Sequence, residues 1–480
     1  MLEPTTVTVL SCIEVTVICF VCISHNVLLA HFMVTDGRVD VPGEYVIHPL
    51  HETLRVVDSM CVDLIPLFFL VKGCQIGHYL CCKRGGTPPP ATDPLLTFTE
   101  IVDSDVMEYT KLCLSLFVRM CGSTAIYLTC LILMTLLHSA SPLAVWGYTV
   151  STPFFISFFF EWGESTTARV GNSDVWIFQN YFWFIVISNM FFTIVWQENG
   201  KARIVAGSIA LCVLGGLGHI YAAHREPGIL FLLTHSVFSN GAAFSTGILM
   251  VMRRHLPAIY SGLQHVYEKL RPWTFVSVFV LVMAYHFHHI GNYSNSDTCV
   301  AYSSGSACLW LSDAWNLKML PLWTVGVFVL LENLASEDME TQVIEDGMIT
   351  QVRLDGTSGA TVSVPTPSVP TNNMSYVSRL TDVISSNQDH CMSICIFSEP
   401  MAQFLHFSLY SISPPATTVY ASGFLVLEAV AVFYWCIGMD TFVLPQIEAE
   451  LEKRLSPDHF IMQGIRKAFV LLQQIVHYVF

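Results

Sequence analysis

The sequence predicts an all-α fold, a polytopic transmembrane helical bundle. Three observations lead there. Apolar residues fill 53% of the 480 positions and charged ones only 12%, about half the charged share usual in soluble domains. Long apolar runs recur from 7–32 to 421–437, several of them of the roughly 18 to 25 residues that cross about 30 Å of hydrocarbon as a helix. Runs such as FWFIVISNMFFTIV are continuously apolar, without the alternation of roughly 10-residue barrel strands. A helix also satisfies its own backbone hydrogen bonds in lipid.

In chain order the expected helices are 7–32, 59–80, 113–137, 142–160, 175–196, 204–222, 228–251, 273–290, 319–333 and 418–439. That is ten spans within a range of about eight to eleven. The first run lacks a basic segment ahead of it and is too long for a cleavable signal, so it is expected to insert and stay. The region 59–80 is polar for a span, and 142–160 reads equally as a span or a re-entrant hairpin. Residues 1–333 thus form a multi-span bundle and 402–444 a final transmembrane region. Between them, 334–401 opens acidic and becomes rich in Ser, Thr and Pro, which predicts a flexible loop. The tail 445–480 ends in FVLLQQIVHYVF, the pattern of an amphipathic helix lying on the membrane surface.

Lys201, Arg203, Arg253, Arg254, Lys269 and Arg271 share one side of this list, which the positive-inside rule makes cytosolic. The loop after His289 then faces the lumen or exterior, where Asn292 is a glycan acceptor and Cys299 and Cys308 have the chance to form a disulfide. Asn373 heads a second sequon one helix further on, so only one of the two asparagines is extracytosolic. Lys83 and Arg84 fall on the wrong side of the ten-span count, a conflict that one miscounted segment between 59 and 170 removes.

Ionisable residues inside apolar runs are costly, about 2.5–3.5 kcal/mol each on the insertion scale, and mark candidate pathways. Glu14, Asp63, Lys72, His219 and His235 meet that description. Asp63 and Lys72 are nine positions apart, on opposite faces of one helix, so each needs a separate partner. His286 and His289 stand at i,i+3, a spacing compatible with a shared metal, with a proton path, or with the wet end of a helix. The 16 cysteines mostly sit inside apolar runs, where they pack as small hydrophobes.

No phosphate loop, GxSxG elbow, HExxH motif or paired CxxC is present, and no cofactor is indicated. The net charge of −15 argues against nucleic acid as a partner. The expected partners are the bilayer and other membrane subunits, in a plasma membrane or endomembrane. The leading functional expectation is passage of a small solute or ion. Its rivals are an intramembrane, His- and metal-dependent enzyme acting on a lipid or glycolipid, and a non-catalytic receptor or assembly subunit.

Overall fold

Glycine spacing and apolar continuity account for much of how the helices meet. The computed structural model describes residues 4–35, 64–83, 237–252, 322–332, 383–412 and 418–454, with isolated positions that include Asp58, Asn180, Tyr181 and Phe184. Among the described residues there are helices and turns but no strand. Two of the helices, Thr6–Phe32 and Gly423–Ile447, are long and apolar enough to cross a membrane.

The first 32 described residues form α1 (Pro4–Ile18) and α2 (His25–Thr35), joined without a break by a π-helical stretch, Cys19–Ser24. Then come α3 (Ile65–Lys83), α4 (Val237–Met252), the short apolar α5 (Leu322–Glu332), α6 (Cys391–Ile412) and α7 (Thr418–Gly438). A second π-helical stretch, Met439–Val443, carries α7 into the charged helix α8 (Leu444–Arg454).

α3 and α4 pack most closely. A Cβ built on Gly73 would strike the Phe244 carbonyl and approach Gly247, and one on Gly77 would sit 3.2 Å from the Ile248 Cα. A Cβ on Gly247 would strike the Leu70 carbonyl. Gly73 and Gly77 form a GxxxG pair, and such small residues let two backbones meet where Leu or Phe would hold them apart. The contacts climb together, Gly73 with Phe244 and Gly247, Gly77 with Ile248 and Val251. α3 and α4 therefore run parallel. Phe184 stacks on Phe244 with ring centroids 4.7 Å apart and meets Phe69 edge-on at 5.4 Å, filling the groove beside the glycines.

α6 lies at the centre. It is flanked by α1 and α2 on one side and α7 on another, and Ile394, Ile396, Phe397 and Ala402 are fully buried. Its start at Cys391 moves the boundary expected at residue 401: the last part of the presumed loop 334–401 is buried helix. The physical reason is that Ser393, Ser398, Glu399, Gln403 and His406 dilute its apolarity, yet all five are buried against other helices rather than solvated. α7 shows the opposite pattern. Val426, Leu427, Val430 and Tyr434, with Phe442 of the π-helical stretch just beyond it, form a broad apolar exposed face.

Candidate functional site

The polar side chains of α6 form a seam that its neighbours complete level by level. Partners along α1 and α2 rise in step with α6. Gln388 Nε2 donates to Glu14 Oε2 at 3.0 Å, the Cys22 and Cys395 sulfurs lie 3.6 Å apart, and Asn26 Nδ2 donates to Ser398 Oγ at 3.0 Å. Higher still, the His31 and His406 rings meet edge-on at 5.5 Å. The two chains are thus parallel over their whole shared length, whereas α7 runs antiparallel to α6, pairing Asp440 with His390 and Glu428 with His406. From Gln388 to His406 is eighteen positions, about 27 Å at helical rise, close to the thickness of a bilayer core.

At the lower end, Glu14 and Lys72 form an ion pair, Glu14 being fully buried and Lys72 nearly so. The Lys72 ammonium also stands 5.0 Å from the centroid of the Tyr181 ring, a cation–π contact. α1, α3, Gln388 just ahead of α6 and the described helical position Tyr181 each contribute to this knot. Nearby, the Asp440 carboxylate accepts from Ser393 Oγ and shares a 2.6 Å hydrogen bond with His390 Nδ1. His25 Nδ1 and Asp58 Oδ1 are 2.7 Å apart and both partly exposed.

At the upper end, His406 Nδ1 and Glu428 Oε2 share a 2.9 Å hydrogen bond, and neither side chain has any exposed surface. Glu428 Oε1 is buried and accepts no hydrogen bond. One turn lower on α6, Gln403 Nε2 donates to Glu399 Oε1 at 3.0 Å, while Gln403 Oε1 is buried without a donor. Pro400 sits between Glu399 and Gln403 and removes an intrahelical N–H bond there. The π-helical Cys19–Ser24 faces Cys395, so both core helices depart from regular geometry at neighbouring levels. π-helical turns inside α-helices gather at functional positions.

Of the residues singled out in the sequence, Glu14 and Lys72 are brought together, each supplying the partner the other needs. Asp63, His219, His235, His286, His289, Asn292, Cys299, Cys308 and Asn373 lie outside the described residues. Sequence reasoning missed Glu399, Gln403, His406 and Glu428. Glu428 was detectable by the criterion that picked Glu14, a carboxylate inside an apolar run. Among the described residues no three His, Cys, Asp or Glu side chains converge in the way a metal ion requires. Cys391 and Cys395 are buried free thiols. Comparison with family models, curated proteins and solved structures finds no match for the chain.

Proposed function

We propose that this is a multi-pass membrane protein that passes a small ion along the polar seam of α6. One observation carries the reading: ionisable side chains without solvent recur at both ends of a seam about as long as a bilayer core is thick. Structural packing alone does not call for that arrangement, because buried charge pairs are often no more stabilising than well-packed apolar residues. Polar groups at membrane depth ordinarily face a bundle interior or a water-filled path.

A ten-span topology supports it. Because α3 and α4 are parallel, an odd number of spans must separate them. The sequence reading put four there, and treating 142–160 as a re-entrant hairpin leaves three. Adding Cys391–Ile412 restores ten. α1 and α6 then belong to the first and ninth spans, which are parallel, and α7 to the tenth, which is antiparallel to α6. Fifteen of the 22 Lys and Arg residues fall on the side of the Thr6 end and five on the other, with Lys72 and Arg119 inside spans. The Thr6 side is cytosolic on that count. Lys83 and Arg84 now join it, and of the two sequons only Asn292 is extracytosolic. The Glu14–Lys72 knot lies toward the cytosol and His406–Glu428 toward the opposite face.

Purified protein in vesicles on a solid-supported membrane tests this by jumps of Na+, K+, H+ or Cl− concentration. At least one ion is expected to give a transient current absent from protein-free vesicles and diminished by Glu14→Gln. Currents no larger than those of empty vesicles for all four ions would refute ion passage.

A further inference from the structure

Resting on that reading, we infer that the ion is the proton and that the His406–Glu428 pair is the site that binds it. The two buried carboxylates of the seam have different surroundings. Glu14 faces Lys72, a fixed cation, and accepts a further hydrogen bond from Gln388. That arrangement gives Glu14 a fixed countercharge. Among the described residues Glu428 faces no such cation: His406 is its hydrogen-bond partner, and its second oxygen accepts nothing. A buried carboxylate with an unused lone pair and no fixed countercharge is costly, and the site relieves that cost by taking up a positive charge.

The pair is built to take it as a proton. Unloaded, His406 Nδ1–H donates to the Glu428 carboxylate and the two carry one negative charge. Loading adds one proton from water and leaves the pair neutral, as imidazolium with carboxylate or as imidazole with carboxylic acid. Protonation at His406 Nε2 gives the first form, and the second follows when the Nδ1 proton crosses the 2.9 Å hydrogen bond to Glu428 Oε2. No electron moves and no other bond breaks. Described groups beside the pair include His31 of α2, whose ring meets His406 edge-on at 5.5 Å, and Phe424 of α7, 6.2 Å from His406 between ring centroids, with the Glu399–Gln403 couple about one turn earlier along α6. His31 continues the route beyond His406, and Glu399 continues it toward the cytosolic half. A metal ion is a poorer occupant, since no third His, Cys, Asp or Glu among the described residues completes a coordination sphere here. The neutral loaded pair suits a closed site, and unloading requires water to reach it.

Two readings test the assignment. In the vesicle assay, pH jumps should drive current through the wild-type protein, and Glu428→Gln should cut it by about a hundredfold, the low end for loss of a positioned proton-transfer group. Glu428→Asp should keep a measurable part. Infrared difference spectra between acid and neutral pH should show the carbonyl stretch of a neutral carboxylic acid that vanishes in Glu428→Gln. Should Glu428→Gln fail to give monodisperse protein, His406→Asn takes its place, with the same loss of current expected and a shifted carboxyl band. Wild-type pH-jump currents in folded Glu428→Gln, or a carboxyl band unchanged by it, would overturn the inference. Currents driven by Na+ or K+ but not by pH would overturn it too, while leaving ion passage intact. An absence of current for every ion would refute ion passage, and the carboxyl band would then still report whether the pair binds a proton.

Discussion

Glu14 and Lys72 show what a single residue reveals in sequence and what it hides. Both were visible as charges inside apolar runs, because lipid makes such residues expensive wherever they occur. Their pairing was not visible, since 58 positions separate them and nothing in local spacing says which helices touch. The same cost gives a prediction. Lys72→Met leaves the fully buried Glu14 without its cation and should destabilise the protein by about 3–5 kcal/mol. Glu14→Gln combined with Lys72→Met removes both charges and should lose much less than the two single variants summed. Thermal unfolding in detergent measures both, and additive losses would show that the two side chains do not act as a pair.

At the scale of the element, apolar continuity located most helices. α1 with α2, α3, α4, α5 and α7 overlie the expected 7–32, 59–80, 228–251, 319–333 and 418–439. α6 was passed over because Glu399, Pro400, Gln403 and His406 interrupt its apolar run, although on average it is as apolar as α3 and Glu399, Gln403 and His406 are buried. The GxxxG pair Gly73 and Gly77 was readable in the sequence and passed over. It makes a graded prediction. Gly247→Ala drives a Cβ into the Leu70 carbonyl and should cost about 1–3 kcal/mol through forced separation of α3 and α4. Gly77→Ala meets Ile248 Cα at 3.2 Å and should cost less. Gly423→Ala and Gly438→Ala meet nothing within 4 Å and should be neutral or slightly stabilising, since Ala favours the helix. Equal effects at Gly247 and Gly438, read from the fraction of monodisperse protein after heating, would argue against the close crossing.

For the whole molecule, the sequence carried the helical class of the described residues and two helices long and apolar enough to cross a membrane, while topology needed the relative direction of packed helices. The parallel pairing of α3 with α4 is a fact about space that no hydropathy profile contains. Combined with the charge count, it predicts that Asn292 bears a glycan and Asn373 does not. A mobility shift on deglycosylation should therefore disappear in Asn292→Gln and persist in Asn373→Gln. Cysteine labelling should also reach loop 253–271 only from the cytosol and loop 291–310 only from outside. The reverse pattern in either experiment would place the Thr6 end outside the cytosol and overturn the orientation read from the charge count.

The parallel alliance of α1 and α2 with α6 also sets a timetable for biosynthesis. Asn26 meets Ser398, 372 residues later in the chain, which at ribosomal speeds of about 5–20 residues per second is a delay of roughly 20–75 s. On the proposed topology the first helix spends that interval in the bilayer with the Ser398 partner of Asn26 not yet made. Lys72 follows Glu14 within about 3–12 s at the same speeds, so the end near Thr6 is stapled early and the opposite end waits. A nascent chain arrested before residue 391 should therefore be a ready client for quality control in the membrane, and one arrested beyond residue 440 should escape it.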